Sequence, residues 1–176
     1  MVETTRAIVV GALLLGAAQA HASGVSGATC TPGDPAIQSN RYFITAGSVN
    51  YRPGASGLVT LYCPVTIPDN FSSLCSNLQY TMRLTYTDSD GAGNAVSVTA
   101  QLLRLSNATG AFLGPVGNFL IASNTSDITV RTNQTAQGGF GFRTDEEYYY
   151  YRVDMNRAAG TSHVATFYGI GLECAE

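Results

Sequence analysis

Leu78-Gln79-Tyr80-Thr81-Met82-Arg83-Leu84-Thr85-Tyr86 puts an apolar or aromatic side chain at every second position and a polar one between. A period of two is the period of a strand, so this stretch reads as a half-buried antiparallel strand with one face on a core. Residues 95–105 repeat the pattern through Val96, Val98, Ala100 and Leu102. The polar, glycine-containing stretch 88–94 lies between the two, and the pair reads as a long hairpin.

The same period recurs along the chain. In 58–65, Val59, Leu61 and Cys63 share one face, Leu58, Thr60 and Tyr62 the other, with Pro64 and Pro68 stopping the strand. Tyr149, Tyr151, Val153 and Met155 alternate with Tyr148, Tyr150, Arg152 and Asp154, and Val164, Thr166, Tyr168, Ile170 and Leu172 form a closing strand. Shorter candidates are 41–46, 112–122 and 127–132, and 23–40 reads as an extended lead-in anchored by Cys30. Eight or nine strands spaced by turn signals predict an all-β, two-sheet antiparallel β-sandwich of Greek-key or jelly-roll type.

Composition agrees with this. Charged residues are 12% of the chain, whereas Gly, Ser, Thr and Asn abound, which suits strands and turns better than solvated helices. Every basic residue is Arg, so lysine nucleophiles and Schiff bases are excluded. The net charge is −3 with the Arg residues scattered, and the electrostatic footprint of a nucleic-acid binder is missing.

The first two dozen residues have the layout of a secretory leader: Arg6, an apolar run from Ala7 to Ala18, then small residues. Ala20-His21-Ala22 supplies the small side chains a signal peptidase requires, with Ala18-Gln19-Ala20 as a second option. The expectation is a signal peptide over 1–22 and one domain over 23–176, secreted or periplasmic. The run is shorter than the roughly 20 apolar residues of a spanning helix, so no membrane span is expected.

Cys30, Cys63, Cys75 and Cys174 remain after that cut. An even number in an exported chain reads as disulfides, with three connectivities open. The preferred one is Cys30 with Cys63 and Cys75 with Cys174. Zinc would need close cysteine pairs with histidines nearby, which the spacing does not offer.

Candidate chemistry is sparse. In 88–94, Asp88, Asp90 and Asn94 place oxygen ligands around a glycine, as a calcium loop requires, but Ala92 replaces a ligand and Thr99 stands where a bidentate Glu belongs. Asp and Gly are also turn formers, so calcium is the alternative to a plain turn. Asp145 and Glu147 are the carboxylates a hydrolase would use, although adjacency in sequence does not set them facing each other across a cleft and a solvated turn before a strand explains them better. His163 sits in a polar turn, and no Gly-x-Ser-x-Gly elbow accompanies it. Tyr148, Tyr149, Tyr150 and Tyr151 are a binding signal more than a catalytic one: in a strand at least two of these rings face away from the core, where they could stack on a glycan or a protein surface, although covering a sheet face or packing against the second sheet is the favoured account of them.

Gly27-x-x-Cys30-x-Pro32, Gly47-Ser48-Val49-Asn50, Val59-Thr60-Leu61-Tyr62-Cys63-Pro64-Val65 and Leu84-Thr85-Tyr86-x-Asp88 resemble a group of small, uncharacterised secreted bacterial β-sandwich proteins with an early Cys and a Cys-Pro-Val segment. The resemblance covers about the first half of the mature chain. It implies export, a sandwich and a bridge from Cys30 to Cys63, and no site residue. The expected function is that of a noncatalytic extracellular or cell-surface interaction module without a required cofactor. A carboxylate-dependent hydrolase and a structural coat or matrix protein are the alternatives.

Overall fold

The computed structural model describes residues 21–68, 71, 75, 79–123 and 127–175. The strands are β1 (His21–Ser26), β2 (Thr31–Pro32), β3 (Tyr42–Thr45), β4 (Ser48–Tyr51), β5 (Gly57–Pro64), β6 (Tyr80–Asp88), β7 (Val96–Ser106), β8 (Phe112–Ala122), β9 (Asp127–Gln137), β10 (Glu147–Arg157) and β11 (Ala165–Cys174). They form two antiparallel sheets, β3-β4-β11-β6-β9 with β1 also on β11, and β2-β5-β10-β7-β8. The chain is thus an all-β, two-sheet sandwich. The expected leader lies outside the described residues up to position 20, as does Leu78. Regular pairing of β1 with β11 begins at Ser23↔Leu172, after an irregularity at His21.

Four strands whose alternation is visible in the sequence supply much of the core, which β4, β8 and β11 complete. Tyr80, Met82, Leu84 and Tyr86 of β6 are fully buried. They face Val59, Leu61 and Cys63 of β5, Val96, Val98, Ala100 and Leu102 of β7, and Tyr151, Val153 and Met155 of β10, all buried in the same cluster. Each such side chain contributes about 1.5–3 kcal/mol by leaving water. The disulfides Cys30–Cys63 and Cys75–Cys174 close loops of 33 and 99 residues, each restricting the unfolded chain by about 2–4 kcal/mol.

Three expectations change. The stretch 88–94 does not join a hairpin: β6 pairs with β11 and β9, β7 with β10 and β8. Two strands with complete apolar faces bury both by lying opposite each other, and the connecting loop crosses the roughly 10 Å between sheets. Strict alternation in the closing strand also fails. Ala165 and Phe167 are buried while Val164 and Tyr168 are exposed, and after a bulge between Phe167 and Gly169 the inward positions become Ile170 and Leu172. Glycine is required at the bulge, because a Cβ on Gly169 would lie 2.7 Å from the Val25 carbonyl oxygen of β1. The lead-in, finally, carries β1, β2 and a single helical turn, Pro35–Gln38, in which the Asp34 carboxylate accepts the Ile37 N–H at 3.1 Å.

Candidate functional site

Strand β10 runs through the middle of the second sheet, and its side chains point alternately to the core and to solvent. Tyr149 is 7% exposed and Tyr151 is 0%, whereas Tyr148 is 63% exposed. The four consecutive tyrosines therefore do not form one surface. Tyr149 and Tyr151 belong to the core, and only Tyr148 and Tyr150 reach the outer face.

Cross-strand register builds the rest of that face. Tyr148 is level with Leu105 of β7, and Leu105 with Phe112 of β8. Tyr150 stands between Pro64 of β5 and Leu103, which is in turn level with Pro115. Leu103 is buried without belonging to the core between the sheets, which places its cover on the outer side. Tyr62 of β5 completes the patch, its ring centroid 5.7 Å from that of Tyr150 at an interplanar angle of 69°. Tyr62, Tyr148 and Tyr150, with Leu105 and the edge of Tyr149, line an open depression of about 440 Å³. Burial, and then the neighbouring Tyr62 phenol, raise the pKa of Tyr150 above the ordinary tyrosine value.

The next positions along β10 are polar. Arg152 Nε lies 2.9 Å from Asp154 Oδ2, an ion contact without the alignment of a hydrogen bond. Asp154 Oδ1 accepts from the Thr60 hydroxyl at 2.6 Å. The outer face is thus divided into an aromatic, apolar half crossing four strands and a polar half beside it.

Beneath the aromatic half, a buried network holds the start of β10. The Tyr149 hydroxyl donates to Glu147 Oε2 at 2.7 Å and accepts the Arg143 N–H at 3.0 Å. Arg104 Nη1 approaches Glu147 Oε1 at 3.1 Å, and its guanidinium lies 6.0 Å from the centroid of Phe140. Burial pushes the Tyr149 phenol up, so it stays a proton donor to Glu147. Asp145 is exposed, and Glu146 pairs with Arg143. Of the two carboxylates the hydrolase alternative requires, Glu147 is 6% exposed and committed to Arg104 and Tyr149, the arrangement of a structural ion pair.

The acidic loop also turns its groups onto the chain. Asp90 Oδ2 accepts the Ala95 N–H at 2.6 Å and Asp90 Oδ1 the Val96 N–H at 3.3 Å. Fully buried Asp88 accepts the Ser123 hydroxyl at 2.5 Å and the Asp90 N–H at 3.3 Å. Burial is the main cause that raises Asp88 to about 6, and the Asp90 carboxylate adds to it. Burial acts the same way on Asp90 but is overridden by hydrogen bonds from Asp88 and from the Ala95 and Val96 N–H groups, which leave Asp90 below the usual carboxylate range. Asn94 is exposed at the tip. The Asp88 and Asp90 oxygens are engaged by N–H and O–H donors of the chain, an arrangement that closes the loop and does not make a cation cage for calcium. His163 Nδ1 lies 3.1 Å from the Ser89 carbonyl oxygen, tying the β10–β11 connection to the same loop. Among the described residues no group of three or more His, Cys, Asp or Glu side chains is placed to hold a metal ion.

No family model matches the sequence, and neither does any curated protein. The chain is similar in structure to a xylan-binding module, CBM15, at 10% identity and a TM-score of 0.50, over 90% of this chain and 99% of that one. It is also similar to the potassium-bound carbohydrate recognition domain of Emp46p, at 10% identity and a TM-score of 0.46, over 85% of this chain and 90% of that one. At 10% identity the likeness to the xylan-binding module concerns the fold alone. Among the described residues no helix is long and apolar enough to cross a membrane.

Proposed function

We propose that this protein is a noncatalytic interaction module, exported by means of its leader over 1–22, that takes a glycan on the outer aromatic face of its second sheet. The observation that carries the reading is the patch of Tyr62, Tyr148 and Tyr150 on a floor of Leu103 and Leu105. A sugar ring has an apolar C–H face and a hydroxylated edge, and a tyrosine offers the same pair, a flat apolar face and a phenol rim. The four-strand width of the patch, about 14 Å at the usual strand spacing, suits a short stretch of polysaccharide better than a single sugar. The xylan-binding module of the same fold binds a polysaccharide by its name, and a ligand of that class is the natural occupant here. Two disulfides accord with an oxidising compartment.

The test is affinity electrophoresis of oxidised protein, residue 23 onward, through gels carrying soluble polysaccharides, beside Tyr148→Ala and Tyr150→Ala. Retardation by at least one polysaccharide, weakened tenfold or more in both variants, is the expected result. Unretarded migration through a broad panel would overturn the glycan reading, and a protein partner would then become the occupant to seek.

A further inference from the structure

We infer that the glycan taken by this face is an uncharged one, and that Asp154 sets this selectivity by holding Arg152; the inference rests on the glycan reading above. Among the described residues the aromatic half of the face carries no ionisable group other than phenols: its positions are Tyr62, Pro64, Tyr148, Tyr150, Leu103 and Leu105, continued by Phe112 and Pro115. Arg104, level with Tyr149, is turned to Glu147 with the inward residues, so the nearest cation on the outer face is Arg152, two residues beyond Tyr150 and level with Tyr62.

Arg152 is the cation of this face within register of both Tyr62 and Tyr150 to which the carboxylate or sulfate of an acidic sugar on those rings would be drawn. Its charge is already met. Asp154, two residues further on the same side of β10, puts Oδ2 2.9 Å from Arg152 Nε, and Asp154 is itself oriented by the Thr60 hydroxyl at 2.6 Å. The Arg152 side chain is 43% exposed and that of Asp154 24%, so the pair remains at the surface, where a bound anion would compete directly with Asp154. An anionic polymer would also meet the Asp154 carboxylate as a like charge, which rejects the wrong ligand without weakening contact with the right one. A neutral chain meets neither cost, and its attraction to the rings does not depend on screening by salt.

The experiment compares retention of the full mature protein on unsubstituted xylan, mannan and glucan with retention on polygalacturonate and heparin, at low and high salt. Wild-type protein held by a neutral polymer, with no salt dependence and without retention on the acidic ones, supports the inference. Asp154→Asn is expected to gain retention on polygalacturonate at low salt that high salt removes, and Arg152→Gln combined with Asp154→Asn is expected to lose that gain. Wild-type retention on acidic polymers equal to that on neutral ones would overturn the selectivity while leaving the glycan reading intact. A folded Asp154→Asn protein, confirmed by its thermal transition, that gains nothing would overturn the role of Asp154. Retention on no polymer at all would defeat the glycan reading itself, and the inference with it.

Discussion

The tyrosine strand and the acidic loop are both rich in groups that could bind something, and the fold treats them oppositely. In β10 the pleat divides four like residues: Tyr149 and Tyr151 build the core, and Tyr148 and Tyr150 are left over for the surface. In 89–95 and the end of β6, the carboxylates are turned back onto Ser123, Ala95 and Val96, so the polar groups are consumed in closing the crossing between sheets. A binding surface is made of what remains once the chain has satisfied itself. Density of suitable residues in the sequence does not measure that remainder.

The comparison can be broken most directly at Tyr151. Removing this fully buried ring in Tyr151→Ala should cost about 3–5 kcal/mol in chemical denaturation, by lost burial and the cavity left behind. A cost below about 1 kcal/mol would mean that the inward half of the run is not the core element described here. The acidic loop is tested next, through pH. Because Asp88 is raised from 3.8 to about 6 in the folded protein, the folded state keeps its proton where the unfolded chain has lost it. Its contribution is therefore fully present below pH 3.8 and is lost as pH rises through about 6, a fall of roughly 1–3 kcal/mol across that window. Asp90 acts in the opposite sense, contributing above the unfolded carboxylate value and losing that contribution as pH falls through its lowered folded value. Stability measured against pH in Asp88→Asn should lack the decline toward pH 6, and a decline that persists would assign it elsewhere. The smallest expected effect is at Tyr148, 63% exposed. Tyr148→Ala should change stability by no more than about 0.5 kcal/mol while weakening glycan retention, and a loss of stability comparable to that of Tyr151→Ala would erase the division between the two halves of the run.

What the sequence discloses follows from how local each feature is. The inward faces of β5, β6, β7 and β10 are legible because the pleat is a property of each strand alone. Partnership between strands is not local. Val96 to Leu102 match Tyr80 to Tyr86 in pattern, and that match serves two strands facing each other as well as two paired side by side; the hairpin expectation fails on this ambiguity. The bulge at Gly169 depends on the approach of β1, nearly the whole chain length away, and nothing near Tyr168 announces it. The candidate site divides in the same way. Tyr148 and Tyr150 could be read as surface residues from their alternation with Val153 and Met155, but Tyr62 and Leu105 join them only through the register of β10 with β5 and β7. Tyr62 already lies on the noncore face of its own strand, and that is the one signal by which it could have been found.

Strand β11 bears on how the domain comes into being. It is the last of the described strands, yet it sits inside its sheet, with β6 along one side and β4 and β1 along the other. Without residues 165–174, the β6–β9 pair and the β3–β4 pair have no common neighbour, and the first sheet falls into two separate pieces. Residues 165–174 thus join the β6–β9 pair to the β3–β4 pair, and the Cys75–Cys174 bridge, spanning 99 residues, ties the end of β11 to the chain ahead of β6.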